Sequence, residues 1–152
     1  MEKLNLPFYD CKLKKSGTNT LIFDPVRQKY VILTPEEWVR QHFLNYLTVY
    51  LGFPRSHISI ERGTTYNTLA KRTDLRVYGR TGSPLMLIEC KASFIHIDES
   101  ALNQALVYNR VIKAPYLVLT NGLHHFCWKI DPSFQRWQVV AQIPEYNKIS
   151  GD

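Results

Sequence analysis

The run Leu85-Met86-Leu87-Ile88, followed at once by Glu89-Cys90-Lys91, constrains this chain more than any other stretch. A half-exposed strand alternates apolar and polar residues. A strand that is apolar at every position is buried on both faces and belongs in the middle of a covered sheet. Neighbouring strands and a helical layer on each face must therefore come from the rest of the chain. The abrupt change to charge matters as much. Side chains alternate along a strand, so Glu89 and Lys91 face one way while Cys90 turns to the other.

The flanking sequence supplies the layers. Leu21-Ile22-Phe23 and Tyr30-Val31-Ile32-Leu33, separated by Asp24-Pro25 and Arg27-Gln28-Lys29, predict an N-terminal β-hairpin over about 10–33. Thr34-Pro35-Glu36-Glu37 reads as a helix start, with Thr34 as N-cap, Pro35 at the first position and Glu37 completing a capping box. Val39, Phe43, Leu44, Leu47 and Leu51 follow at helical spacing before Gly52, so the helix should span about 35–51. Residues 57–61 and 73–78 alternate as strands, with a turn at 79–84. A second helix is expected over 98–112, capped by Asp98 or Ser100 and stopped at Ala114-Pro115. Strands follow at 116–120, 124–130 and 137–143, the first two joined through Asn121-Gly122. The expected fold is a single α/β domain over 1–152. Its core, about 34–143, is a mixed sheet with helices on both faces, and residues 1–9 and 145–152 are expected to fray.

Composition narrows the function classes. No apolar run approaches the ~20 residues of a membrane span, and the start of the chain has no signal-peptide core. Cys11, Cys90 and Cys127 are far apart without a C-x-x-C pair, which argues against a disulfide scaffold or zinc knuckle and for a reduced, cytoplasmic setting. The formal charge of +6 suits an anionic partner, and equally a soluble surface. There is no phosphate-cradling glycine loop, no Ser-His-Asp arrangement and no groove-reading module. His124, His125 and Cys127 lack a second ligand pair at zinc-like spacing and read as structural.

One constellation carries chemistry. A hairpin of 74–78 against 85–91 places Asp74 beside Glu89, so two carboxylates and the Lys91 ammonium converge at a strand end. Adjacent carboxylates repel, and a divalent cation relieves the repulsion. Carboxylate and main-chain carbonyl oxygens, the latter from Cys90, suit Mg²⁺ or Mn²⁺. Lys91 would orient the attacking water and neutralise a phosphate oxygen. The plainer reading is a surface ion pair. Arg72 and Arg76 share the facing of Asp74, with Lys71 and Arg80 near, as a phosphate-meeting rim or as edge-strand charge.

Thr73-Asp74…Glu89-Cys90-Lys91 resembles the PD-(D/E)xK nuclease signature, with Thr73 where that signature has proline. TPEEWVRQHF, KRTDLRVY, LMLIECKA, QALVYNRVIKAPYLVLTNG and HFCWKID extend the likeness over about 34–130. There the chain resembles the N-terminal nuclease domain of type I restriction enzyme R subunits, in its short free-standing form. The resemblance implies a restriction-endonuclease-like core in the order α-β-β-β-α-β and Mg²⁺-dependent DNA cleavage. It implies metal held by Asp74 and Glu89, with Lys91 as catalytic lysine. It places Glu36 as a further acidic ligand on the first helix, where a helix N-terminus also favours negative charge. Gln104-x-x-x-Tyr108 matches the Q-x-x-x-Y motif of the same domains, two side chains on one helix face that would contact DNA or steady Lys91. DNA and other restriction-system subunits are the implied partners. A silent DNA- or protein-binding module with the same fold, and a structure-selective nuclease of the junction-resolvase type, are the alternatives.

Overall fold

A computed structural model describes residues 1–61 and 74–151. The chain begins with a three-stranded antiparallel sheet of β1 (Leu13–Ser16), β2 (Asn19–Asp24) and β3 (Lys29–Ile32), in that order. The expected hairpin is β2–β3. The added strand β1 is exposed along its whole length, so no alternation marks it in the sequence. Asp24 closes the β2–β3 turn, its carboxylate accepting from the Val26 and Arg27 amides at 2.8 and 2.9 Å. One face of this sheet buries Ile22, Asp24 and Val31. The opposite face carries Leu21, Phe23, Tyr30 and Ile32, none of them buried.

Helix α1 (Pro35–Asn45) starts where its cap predicts, with the Thr34 hydroxyl accepting from the Glu37 amide at 3.0 Å. It runs directly into a π-helical turn over Tyr46–Tyr50, sealed by the bond from the Leu51 amide to the Tyr46 carbonyl at 3.1 Å. The expected span of 35–51 is thus helical as far as Tyr50 and widened in its last turn.

The second sheet has six strands in sequential order: β4 (Ile58–Glu61), β5 (Asp74–Tyr78), β6 (Pro84–Cys90), β7 (Tyr116–Thr120), β8 (His125–Ile130) and β9 (Trp137–Val140). All neighbours pair antiparallel except β6 and β7, which run parallel because α2 (Glu99–Ile112) carries the chain back between them. Asp98 is the α2 cap, its carboxylate accepting from the Ala101 amide at 2.9 Å. A short helix, α3 (Tyr146–Ile149), ends the described chain.

The sheet divides the core in two. Leu75, Val77, Met86, Ile88, Cys90 and Val118 pack with Val39 and Phe43 of α1 and with Leu47 of the π-helical turn. Leu87, Leu117, Leu119 and Trp128 pack with Ala101 and Ala105 of α2. This is the two-faced burial that the apolar β6 sequence requires, in a mixed α/β architecture of two sheets and three α-helices among the described residues.

Both chain ends depart from the expected fraying. Leu4 is buried, the Asn5 amide donates to the Gly122 carbonyl at 2.8 Å, and the Trp38 indole donates to the Glu2 carbonyl at 2.8 Å. At the other end Tyr146 is buried, packs edge-on against Phe53 and donates its amide to the Leu51 carbonyl at 2.9 Å. These are long-range contacts with no local signature in the sequence.

Candidate active site

Strand β6 positions the site. Six of its seven residues are buried, because neighbours flank it on both sides and a helix covers each face. Glu89 has the parity of Leu87 and so faces the α2 side. Only 2% of it is exposed, a costly place for a carboxylate unless something compensates. Part of the compensation is Lys91, whose Nζ lies 3.2 Å from Glu89 Oε2. The Lys91 amide donates to the Thr120 carbonyl at 2.8 Å, extending the β6–β7 ladder one residue past the strand. Lys91 is thereby fixed at the main chain as well as at its ammonium.

The register sets Asp74 of β5 directly opposite Glu89, as the hairpin predicts. Two residues on, Arg76 reaches α2, where its Nη2 donates to the Tyr108 hydroxyl at 2.5 Å. Its guanidinium carbon lies 5.7 Å from the centre of that ring. Tyr108 and Gln104 stand one helical turn apart on α2, Gln104 exposed and Tyr108 half-buried. The structure thus brings Arg76 and Tyr108 together, a link across 32 residues that sequence reasoning missed. Arg72, Lys71 and Thr73 lie outside the described residues.

Glu36 stands in the first turn of α1 and pairs with Arg40 at 2.7 Å. The role expected for its neighbour needs correction. Glu37 was to close a capping box by reaching back to the cap residue. Its carboxylate instead accepts from Arg40 at 2.6 Å and Gln41 at 2.8 Å, and from Arg27 of the β2–β3 turn at 3.2 Å. Arg40 and Gln41 are buried beside it. The hydroxyl half of the box forms, and Arg40, Gln41 and Arg27 take the carboxylate that would have made the other half. The spacing of Glu36 and Glu37 to Arg40 and Gln41, three to five residues, was the available signal.

As a donor set, Asp74, Glu89 and the Cys90 carbonyl are all hard oxygens, and two carboxylates against one lysine leave a formal negative charge. That chemistry fits Mg²⁺ or Mn²⁺. Among the described residues, no three His, Cys, Asp or Glu side chains gather closely enough to hold a metal ion.

The His/Cys group behaves as a structural cluster. The Asn5 carbonyl can only accept, so His125 donates to it from Nε2, at 2.8 Å. Nδ1 is then left to accept from the Thr120 hydroxyl at 2.7 Å. Burial holds the His125 pKa below its ordinary value and pushes the Cys127 thiol up to about 12.

No helix among the described residues is long and apolar enough to cross a membrane. Comparison with known proteins gave no match among curated proteins or solved structures. The family described as type I restriction enzyme R protein N terminus matches residues 35–144, a stretch that contains α1, all six strands of the second sheet and α2. That match spans well over half of the chain, and the chain belongs to the type I restriction enzyme R protein N-terminal family.

Proposed function

We propose that this chain is a metal-dependent DNA endonuclease module of a restriction system. The observation that carries the reading is Glu89, almost fully buried at the end of an apolar strand, ion-paired with Lys91 and in register with Asp74. A carboxylate pair in that position has a chemical use, whereas a structural ion pair would be cheaper to place at the surface. The family and the order α1-β4-β5-β6-α2-β7, which is the order expected of a restriction-endonuclease-like core, support it.

In this reading Asp74, Glu89 and the Cys90 carbonyl hold Mg²⁺ or Mn²⁺, with Glu36 as a further ligand from α1. A bound divalent ion supplies an acidified water and charge stabilisation at the scissile phosphate. Lys91, with its ammonium held beside Glu89, orients the attacking water and neutralises a phosphate oxygen as charge develops. Arg76, steadied by Tyr108, and Gln104 meet the DNA backbone along the α2 edge, joined by Arg72. Other restriction-system subunits are the natural protein partners of such a module.

The test is calorimetric titration of Mg²⁺ and Mn²⁺ into wild type, Glu89→Gln and Lys91→Ala, with plasmid and single-stranded DNA cleavage read in parallel. Saturable metal binding is expected in wild type and Lys91→Ala and is lost in Glu89→Gln. Cleavage falls about a hundredfold or more in both variants. Wild-type cleavage by both variants overturns the mechanism. Metal binding without any cleavage leaves a silent binding module.

A further inference from the structure

The N-terminal sheet lies before the family match, and nothing in the site described above uses it. Its outer face is neither buried nor part of either hydrophobic core. On it Phe23 and Tyr30 meet edge-on, with ring centres 5.2 Å apart. Lys14 lies over the Tyr30 ring at 4.1 Å and Lys12 over Phe23 at 5.7 Å. Ile32, on the same face, is 56% exposed. Between residues 11 and 33 the chain carries Lys12, Lys14, Lys15, Arg27 and Lys29 against a single acid, Asp24. That acid is fully buried and engaged by Arg27. Lys12 and Lys14 therefore make the outer face cationic beside its two aromatic rings.

We propose that this face is a platform for single-stranded nucleic acid, with bases stacked on Phe23 and Tyr30 and phosphates met by Lys12 and Lys14. Charge complementarity selects a polyanion, and the half-buried rings select one with flat apolar faces, which polyglutamate and lipid headgroups lack. A lysine resting on a ring at the surface is held by only about 0.5–1 kcal/mol, so an arriving phosphate draws it away and opens the ring to a base. The platform is tied to the catalytic domain. Arg27 of the β2–β3 turn bonds Glu37 of α1, next to the candidate ligand Glu36. The proposal deepens the nuclease reading and rests on it for the identity of the strand as DNA.

The experiment is fluorescence anisotropy of labelled oligo-dT and of a duplex of equal length, in EDTA so that nothing is cleaved. The full chain is compared with Tyr30→Ala, Lys12→Gln/Lys14→Gln and Lys12→Arg/Lys14→Arg, each checked for an unchanged unfolding midpoint. Tyr30→Ala is expected to weaken oligo-dT binding about tenfold and to spare the duplex. The double glutamine variant is expected to lower the slope of log affinity against log salt by about 1.4, and the arginine pair to keep it. Wild-type oligo-dT affinity in both Tyr30→Ala and the glutamine pair overturns the platform. So does a loss shared equally by duplex, polyglutamate and anionic vesicles, which would mark a general polyanion patch. If the variants lose oligo-dT binding while wild type cleaves nothing in Mg²⁺ or Mn²⁺, the platform stands and the nuclease reading fails.

Discussion

Gly122 is held in the left-handed region and lies close against its neighbours. Its φ is +86°, and an added Cβ would lie 2.8 Å from Leu4 Cδ2 and 3.2 Å from Val39 Cγ2. Gly122→Ala should lower stability by about 1–3 kcal/mol, read as a shift of the urea midpoint at constant slope. The turn itself was legible, since Asn121-Gly122 names it. The Asn121 carboxamide forms it by accepting from the Leu123 and His124 amides at 3.0 and 2.8 Å. The crowding at Gly122 was not legible, because Leu4 arrives from the far end of the chain. Glu37 teaches the same lesson. The capping box gave it one local partner, and Arg40 and Gln41 on its own helix, with Arg27 brought in by the fold, took it instead. At the candidate site Asp74, Glu89 and Lys91 were readable because strand parity and hairpin register are local rules. The Arg76–Tyr108 contact depends on how α2 lies on the sheet, which no local rule supplies.

Among the elements, those with an end signal and a period were predictable. Helix α1 has both, and its cap is testable. Thr34→Ala removes the hydroxyl that accepts from the Glu37 amide and should cost about 1 kcal/mol in chemical unfolding, while Thr34→Ser should retain most of it. Strands β5 to β8 were readable from alternation and apolar runs. Strand β1 was not, because Leu-Lys-Lys-Ser has no buried position to set a phase. The π-helical turn was hidden for the opposite reason. Its buried Leu47 keeps the helical rhythm of α1, and the wider turn shows in backbone bonds such as Tyr46–Leu51. The last strand stops at Val140, three residues short of the expected end.

For the whole molecule, two histidines, His42 buried and His125 half-buried, link stability to pH. Burial lowers the pKa of both His42 and His125. His42 donates from Nδ1 to the Trp38 carbonyl at 2.9 Å and packs between Trp38 and Tyr9. His125 needs a neutral Nδ1 to accept from Thr120. The unfolded chain takes up these protons near pH 6.5 and the folded one only lower. The stability they contribute is therefore complete above pH 6.5 and falls as pH drops toward the folded values. The decline is at most about 1.4 kcal/mol per pH unit for each histidine. Unfolding midpoints between pH 7.5 and 5 should show it, and His125→Gln should flatten the profile. An unchanged slope in that variant would assign the loss elsewhere. One feature of the sheet also orders events in time. Strand β5 meets β6 through a short turn, but β7 reaches β6 only after the chain has run through residues 91–115, because the two strands are parallel. As the chain leaves the ribosome, Glu89 and Lys91 emerge well before the Thr120 carbonyl that holds the Lys91 amide. The charged end of β6 therefore stays wet until the crossover closes, and the candidate site completes itself only after most of the second sheet has been made.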